Sequence, residues 1–272
     1  MQSGWWIAIF LGVLAAMLIA AQLAAPHLQH TLSLLDQLAM LVAATWICQQ
    51  LRRKPLQDVT GRWNWRWPLE FAVGSAIGAT LMGVAALFLF AGGWVSFQPG
   101  HAGWAMFGGS LLVMAGVAAT EELLFRGFLF QRLIDGLGAW PAQALIGGMF
   151  LLTHLDNPGM VGAVKVWAGV NIFVASLLFG LCYLHTKSLA MPIGLHFLAN
   201  AVQGPVLGFG VSGNAEAGLL APQLAAAPVW LTGGAFGLEA SLPGLVCLLV
   251  ATVLVYRFSP AASVPEPPKA LL

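Results

Sequence analysis

Charged side chains are scarce in this sequence: Asp, Glu, Lys and Arg make up only 8% of its 272 residues, whereas hydrophobic residues make up 59%. Such a composition cannot cover a surface that faces water, and it therefore excludes an ordinary soluble enzyme. The net charge is +1 and the cations are scattered, so the basic stripe that nucleic-acid binding requires is also missing. The three cysteines show neither CxxC nor Cys/His ligand spacing, which argues against disulfides and a zinc knot.

Long apolar runs take the place of the missing charge. A helix needs about 20 mostly apolar residues to cross about 30 Å of hydrocarbon. The first run lacks the basic start and the small-residue cleavage site of a signal peptide, so we interpret it as a span. The sequence predicts an all-α, polytopic transmembrane helical bundle of about eight spans, at residues 5–25, 32–51, 69–92, 104–133, 141–155, 164–183, 189–209 and 238–258.

The positively charged residues predict the orientation of these spans. With the N-terminus in the cytoplasm, eight crossings place ten of the eleven Lys and Arg residues at cytoplasmic ends, and only Lys165 falls elsewhere. This distribution favours a multi-pass protein of the cell (inner) membrane with both termini in the cytoplasm. The longest polar stretch, residues 52–68, contains Trp63, Trp65 and Trp67 and predicts an anchor at the membrane interface.

Three charged residues interrupt the fourth span, in the sequence ATEELLFR. An ionisable group in a membrane helix costs at least about 2.5 kcal/mol on insertion scales, so Glu121, Glu122 and Arg126 should face the protein interior and are functional candidates. Residues four apart share a helix face, which predicts an ion pair between Glu122 and Arg126. Glu121 points in another direction and is left free for proton chemistry. The alternative for the pair is a purely structural tie between helices.

Histidine and asparagine interrupt two later apolar segments. His154 lies in the fifth span, and His196 and Asn200 lie four residues apart on one face of the seventh. At about 1.5 Å per residue, Glu121, His154 and Asn200 lie about 18–21 Å along their spans from the polar ends. This common depth predicts one pocket within the membrane.

These residue types suit the hydrolysis of an amide bond. A carboxylate beside an imidazole can deprotonate a water, and a histidine with an asparagine amide can donate hydrogen bonds to the oxyanion that forms. No serine or cysteine in these segments has an obvious base at helical spacing. Zinc held by Glu121, His154 and His196 is the second interpretation, although the HExxH motif is absent.

Three motifs, in this order, resemble those of one family of membrane proteins. EELLFR fits EExxxR, Phe150 to His154 fits FxxxH, and His196 to Asn200 fits HxxxN. Together they resemble the CPBP intramembrane proteases, also called the CAAX-protease and bacteriocin-processing or Abi family. The resemblance covers about residues 104–209, and the remaining spans carry no matching motif.

The resemblance implies an all-helical membrane protease with a role for each motif residue. It implies that Glu121 and His154 would activate the water. His196 and Asn200 would form the oxyanion site, and Glu122 and Arg126 would support these residues. Members of the family have been described as metalloproteases and as metal-independent glutamate proteases. We expect the glutamate type with no cofactor, and zinc is the alternative.

The predicted function is an intramembrane endopeptidase that cleaves a membrane-associated protein or peptide in the bilayer, such as a CaaX-like terminus, a pre-peptide or a C-terminal sorting signal. The alternative from another class is a non-proteolytic immunity or scaffold protein. A proton-coupled transporter would need inverted repeats, which the sequence does not show. The predicted regions are an N-terminal three-span region (1–103), a catalytic core (104–210), and an outer loop with the last span and a disordered tail (211–272).

Overall fold

The computed structural model describes residues 2–28 and 31–258, which are built almost entirely of helices. It confirms the predicted all-α membrane bundle. The helices are α1 (Gln2–Leu28), α2 (Leu34–Leu51), α3 (Gln57–Thr60), α4 (Arg66–Ala91), α5 (Trp104–Arg126), α6 (Phe128–Leu137), α7 (Ala139–Leu152), α8 (Gly162–Thr186), α9 (Ala190–Ala201), α10 (Val229–Thr232) and α11 (Leu242–Phe258). The described ranges also contain two short strands, β1 (Val95–Pro99) and β2 (Leu220–Leu224), and two 3-10 turns over Gly234–Phe236 and Leu238–Ala240.

Each predicted span overlaps one of these helices or two consecutive ones, but the helix of the fifth predicted span ends at Leu152, and that of the seventh ends at Ala201. Within the part of the chain that the structure describes, five segments are long and apolar enough to cross a membrane, namely α1, α2, α4, α8 and the pair α5–α6. α7 and α11 are apolar but shorter, and α9 is continued by a π-helical turn over Val202–Val206. The predicted disordered tail, residues 260–272, lies outside the described residues.

Local chemistry explains where these helices begin and end. Ser33 caps α2: its hydroxyl accepts the backbone N–H of Asp36 at 3.3 Å, and the Asp36 carboxylate accepts the Ser33 N–H at 2.7 Å. Gly127 separates α5 from α6, although we predicted one continuous helix over residues 104–133. A Cβ at Gly127 would lie 2.1 Å from the Leu123 carbonyl oxygen, so a larger residue does not fit this break.

Glycines bring α4 and α9 into close contact. A Cβ at Gly74 of α4 would lie 2.0 Å from the Met191 carbonyl oxygen, and one at Gly78 would lie 2.1 Å from that of Leu195. Gly194 of α9 faces the Phe71 carbonyl oxygen in the same way, at 2.1 Å. Small residues allow two membrane helices to approach backbone to backbone. α4 therefore fixes the position of α9, the helix that carries the HxxxN motif.

The two strands form a small sheet beside the ends of the helices. β1 runs antiparallel to β2, with Val95 opposite Leu224 and Pro99 opposite Leu220. β1 follows α4, and β2 lies in the long connection between α9 and α11. The sheet thus ties that connection to the end of α4.

Candidate active site

The charged residues of α5 form a buried ion pair. Arg126 Nη1 donates to Glu122 Oε1 at 3.1 Å across one helical turn, and both side chains are fully buried. Arg126 Nη2 also donates to the Ser176 carbonyl oxygen at 3.0 Å and to the Ser176 hydroxyl of α8. A buried charge is tolerated only when it is paired and hydrogen-bonded in this way. The pair thus ties α5 to α8.

Aromatic rings enclose this ion pair and connect it to His196. The Arg126 guanidinium carbon lies 4.8 Å from the Phe150 ring centroid and 5.1 Å from that of Phe179, within cation–π range. Phe179 also stacks on the imidazole of His196, with 4.8 Å between the centroids and 12° between the planes. The ring planes therefore hold the imidazole against the ion pair.

His196 bridges the two glutamates of the EExxxR motif. Its Nδ1 lies 3.0 Å from Glu122 Oε1, and because a carboxylate can only accept, Nδ1 carries the proton. Its Nε2 lies 3.9 Å from Glu121 Oε2, beyond hydrogen-bond distance. The Glu121 side chain is 28% exposed, whereas that of Glu122 is fully buried. The two carboxylates thus differ in environment, with Glu122 anchored and Glu121 accessible.

His154 lies in the turn after α7 and not within a helix, which corrects the predicted fifth span of residues 141–155. Its Nδ1 lies 2.7 Å from the Phe150 carbonyl oxygen, four residues earlier. A carbonyl oxygen can only accept, so Nδ1 donates and the neutral ring keeps its lone pair on Nε2. His154 is therefore held in the tautomer that a general base requires.

A small cavity brings three of the predicted residues together. It has a volume of about 50 Å³ and is lined by His154, His196 and Asn200. In the described part of the chain, the Asn200 side chain has no hydrogen-bond partner, so its amide is available to a ligand. Glu121 does not line this cavity, and no hydrogen bond or ion pair between described residues joins it to His154. The predicted pairing of Glu121 with His154 stays a prediction.

The cavity lining includes polar residues that the sequence interpretation missed. They are Asn171 of α8, and Ser212 and Glu239 of the connection between α9 and α11. Asn171 interrupts an apolar span, a signal that could have identified it. Ser212 lies in an irregular loop, and Glu239 lies in the 3-10 turn Leu238–Ala240 at the start of the predicted eighth span, so no spacing within one helix relates either residue to the motifs. The cavity is thus covered by a segment outside all three motifs.

The alternative zinc ligands do not form a metal-binding group. Within residues 2–28 and 31–258, no three His, Cys, Asp or Glu side chains are grouped so that they could hold a metal ion. Zinc sites in proteins need at least three side-chain ligands that converge on one point. Glu121, His154 and His196 thus do not fit zinc in this arrangement, and we derive no step through a metal.

Comparison with known proteins matches the segment that contains all three motifs. Residues 102–202 match the sequence model of a family described as type II CAAX prenyl endopeptidase Rce1-like. The uncharacterized protein YyaK of Bacillus subtilis (strain 168) is 30% identical over 93 residues, which cover 34% of this chain and 30% of that protein. The chain thus matches less than a third of the length of this relative. No solved structure matches the chain.

Proposed function

We propose that the chain is a membrane protease similar to the type II CAAX prenyl endopeptidases, whose Rce1-like family model matches residues 102–202, and that it hydrolyses a peptide bond of a membrane-associated protein or peptide. The observation that carries this proposal is the meeting of His154, His196 and Asn200 at one cavity, with His196 also facing Glu121. In the proposal residues 104–210 form the catalytic core. The protein lies in the cell membrane with both termini in the cytoplasm, and its substrate ends in a lipid-anchored or hydrophobic segment.

The first chemical step is the attack of a water on the substrate carbonyl. Glu121, the accessible carboxylate, takes one proton of the water, and the lone pair on His154 Nε2 accepts a hydrogen bond from the other O–H of the same water. The water oxygen bonds to the carbonyl carbon, and the carbonyl π electrons move to its oxygen. This proposal needs a small shift of Glu121 toward the cavity, which its partial exposure allows.

The second requirement is a site for the resulting oxyanion. Asn200 Nδ2 has no partner among the described residues and lines the cavity, so it can donate to this oxygen. His196 keeps its Nδ1–H bonded to Glu122, and in its imidazolium form it can donate its Nε2–H to the oxyanion. The tetrahedral intermediate then collapses, the carbon–nitrogen bond breaks, and the leaving amine takes the proton held by Glu121.

Glu122 and Arg126 are positioning residues in this mechanism. Neither touches the reacting atoms, but Glu122 fixes the orientation of the His196 ring through the 3.0 Å hydrogen bond. Arg126 pairs with Glu122 at 3.1 Å, and Ser176 fixes Arg126 from α8. Hydrogen bonds from outside the reacting groups set the tautomer and geometry of catalytic histidines in the same way.

A cover over the cavity must open to admit a peptide. A water needs about 10–15 Å³, so a cavity of about 50 Å³ takes a few waters and no peptide. The cover consists of Ser212, Glu239 and Asn157, which are linked by hydrogen bonds. The backbone N–H and hydroxyl of Ser212 donate to Glu239 Oε2 at 2.7 and 3.0 Å, and the Ser212 carbonyl oxygen accepts from Asn157 Nδ2 at 3.0 Å. Asn157 lies three residues after His154, so opening this cover also frees the turn that carries the base.

Comparative membrane proteomics tests the proposed function and identifies the substrate. Cells with Glu121→Gln should accumulate uncut precursors that wild-type cells process. The matched control is Asp135→Asn, which removes a half-exposed carboxylate paired with Arg132, outside the site. Precursor patterns that are identical in wild-type and Glu121→Gln membranes would contradict a proteolytic role.

A further inference from the structure

A charged groove lies where the segment after α3 meets the turn between α8 and α9. It has a volume of about 630 Å³, and its lining includes the cations Arg62, Arg66 and Lys187 and the acids Asp58 and Glu70. Within the described ranges, the three cations form no ion pair and no side-chain hydrogen bond. Desolvation lowers the pKa of the Lys187 ammonium, because no anion compensates its lost hydration. All three cations are exposed, and Arg66 and Lys187 lie over the rings of Trp65 and Tyr183, so the groove presents positive charge that no described carboxylate neutralises directly.

A second, apolar groove lies directly beside the charged one. It has a volume of about 370 Å³ and lies between α2, α5 and the start of α9. Leu38 of α2, Leu123 of α5 and Ile193 of α9 form its walls, together with Trp63 and Trp67. Both volumes lie in the range of about 300–1,000 Å³ that is typical of ligand sites.

The same stretch of backbone separates the two grooves. Thr60, Trp63 and Trp67 line the apolar groove, whereas Arg62 and Arg66 between them line the charged groove. Consecutive residues of the turn before α9 also line different grooves: residues 187 and 188 line the charged groove, and residue 189 lines the apolar groove. The pair therefore fits a single molecule with a charged head and a long apolar tail.

The residue types around these grooves are typical of the headgroup level of a bilayer. Trp63 and Trp65 are 65% and 70% exposed, and exposed tryptophans collect at the boundary between hydrocarbon and water. Lys and Arg near span ends interact with lipid phosphates at the same level. Arg62 and Arg66 lie on either side of Trp65, so the cations of the groove and the tryptophan anchor are at one depth.

We propose that the two grooves together bind one glycerophospholipid of the surrounding bilayer. Its phosphate lies among Arg62, Arg66 and Lys187, and one acyl chain fills the apolar groove. Asp58 and Glu70 favour a headgroup with a primary ammonium, as in phosphatidylethanolamine, because they can accept hydrogen bonds from it. The site lies beside α9, and Ile193 precedes His196 by one helical turn, so the bound lipid braces the helix that carries the HxxxN motif.

Native mass spectrometry of the full-length purified protein tests the binding site without reference to peptide cleavage. The protein is exchanged into detergent with defined phosphatidylethanolamine, and one retained lipid is expected per chain. Replacing Arg62, Arg66 and Lys187 together by Gln should lower retention by about tenfold or more. A matched triple Gln variant of Arg53, Lys54 and Arg257, which lie outside the groove, should retain the lipid. Equal retention by the groove variant and the control would overturn the proposal.

Two further variants test the tail and the headgroup separately. Ala119→Phe places a ring in the apolar groove and should displace the lipid even with all three cations present. The double change Asp58→Asn with Glu70→Gln should abolish the preference for phosphatidylethanolamine over phosphatidylglycerol that the wild type shows. A wild type that prefers phosphatidylglycerol would contradict the role of the carboxylates. Displacement of the lipid by a prenylated peptide in a single-site competition would assign the grooves to the substrate instead, and would also overturn the proposal.

Discussion

Replacing Arg126 by Met tests how much the buried ion pair contributes to the site. The change removes the 3.1 Å contact with Glu122 and both hydrogen bonds to Ser176, and it leaves a fully buried carboxylate without its cation. Removing one member of a buried pair costs about 3–5 kcal/mol. Because Ser176 also loses its donor, we expect Arg126→Met to lie at the upper end of this range.

The double variant Glu122→Gln with Arg126→Met separates the charge from the packing. The introduced glutamine still offers His196 an acceptor and leaves no buried charge, so the double variant should be more stable than Arg126→Met alone. A coupling free energy of about 2 kcal/mol or more is expected, since contacting residues in one network couple by about 0.5–3 kcal/mol. Asp135→Asn is the control: its carboxylate is 50% exposed, and the loss should stay below about 1 kcal/mol.

Two quantities are measured on the same samples: the free energy of unfolding in mixed detergent micelles, and the rate of peptide cleavage. Arg126→Met should lower both the free energy of unfolding and the rate of cleavage. Without Arg126, Glu122 is no longer held in place, so it cannot fix the orientation of the His196 ring. A destabilisation no larger than that of Asp135→Asn would refute the reasoning. So would additive effects in the double variant, since they would mean that Glu122 and Arg126 do not interact.

Three further predictions concern the oxyanion site, the cover and the lipid groove. Asn200→Ala should lower kcat by about 10²–10³-fold with little change in KM, and an unchanged kcat would contradict the oxyanion role. Glu239→Ala should speed hydrogen exchange of the Ser212 amide, which donates to that carboxylate at 2.7 Å, and unchanged exchange would contradict the cover. The pKa of Lys187 is lowered, so its charge is lost as pH rises, at a lower pH than for an ordinary lysine. Lipid retention by the wild type should therefore fall at raised pH, whereas retention by Lys187→Arg should persist at the same pH. Equal pH dependence of the two proteins would contradict the contact between Lys187 and the lipid phosphate.

The sequence was sufficient to predict interactions within one helix. The spacing of four predicts that Glu122 and Arg126 share a face of α5, and the structure has their side chains 3.1 Å apart. It also predicts that His196 and Asn200 share a face of α9, and both line the cavity. Helical geometry alone fixes these relations, since neighbours at four residues lie on one side of the helix.

Relations between helices could not be predicted in this way. Spacing along α5 does not reveal that His196 of α9 donates to Glu122 and only approaches Glu121, because this depends on how the two helices pack. The position of α9 depends in turn on its close contact with α4 at glycines such as Gly78, and the sequence of α4 does not reveal which helix these glycines approach. Glu239 was missed for a similar reason: it lies at the start of the predicted eighth span, in the 3-10 turn Leu238–Ala240, and its approach to the cavity depends on how that span packs against α9.

The central claim is tested most directly by peptide cleavage with purified protein in lipid nanodiscs, using a precursor that accumulates in Glu121→Gln cells. Wild type and Asp135→Asn should cut it, and Glu121→Gln should be slower by about 10²–10⁴-fold, the usual contribution of a general base, with its fold and membrane insertion unaltered. The same turnover in Glu121→Gln and wild type would show that Glu121 does not activate the water, and it would contradict the proposed mechanism.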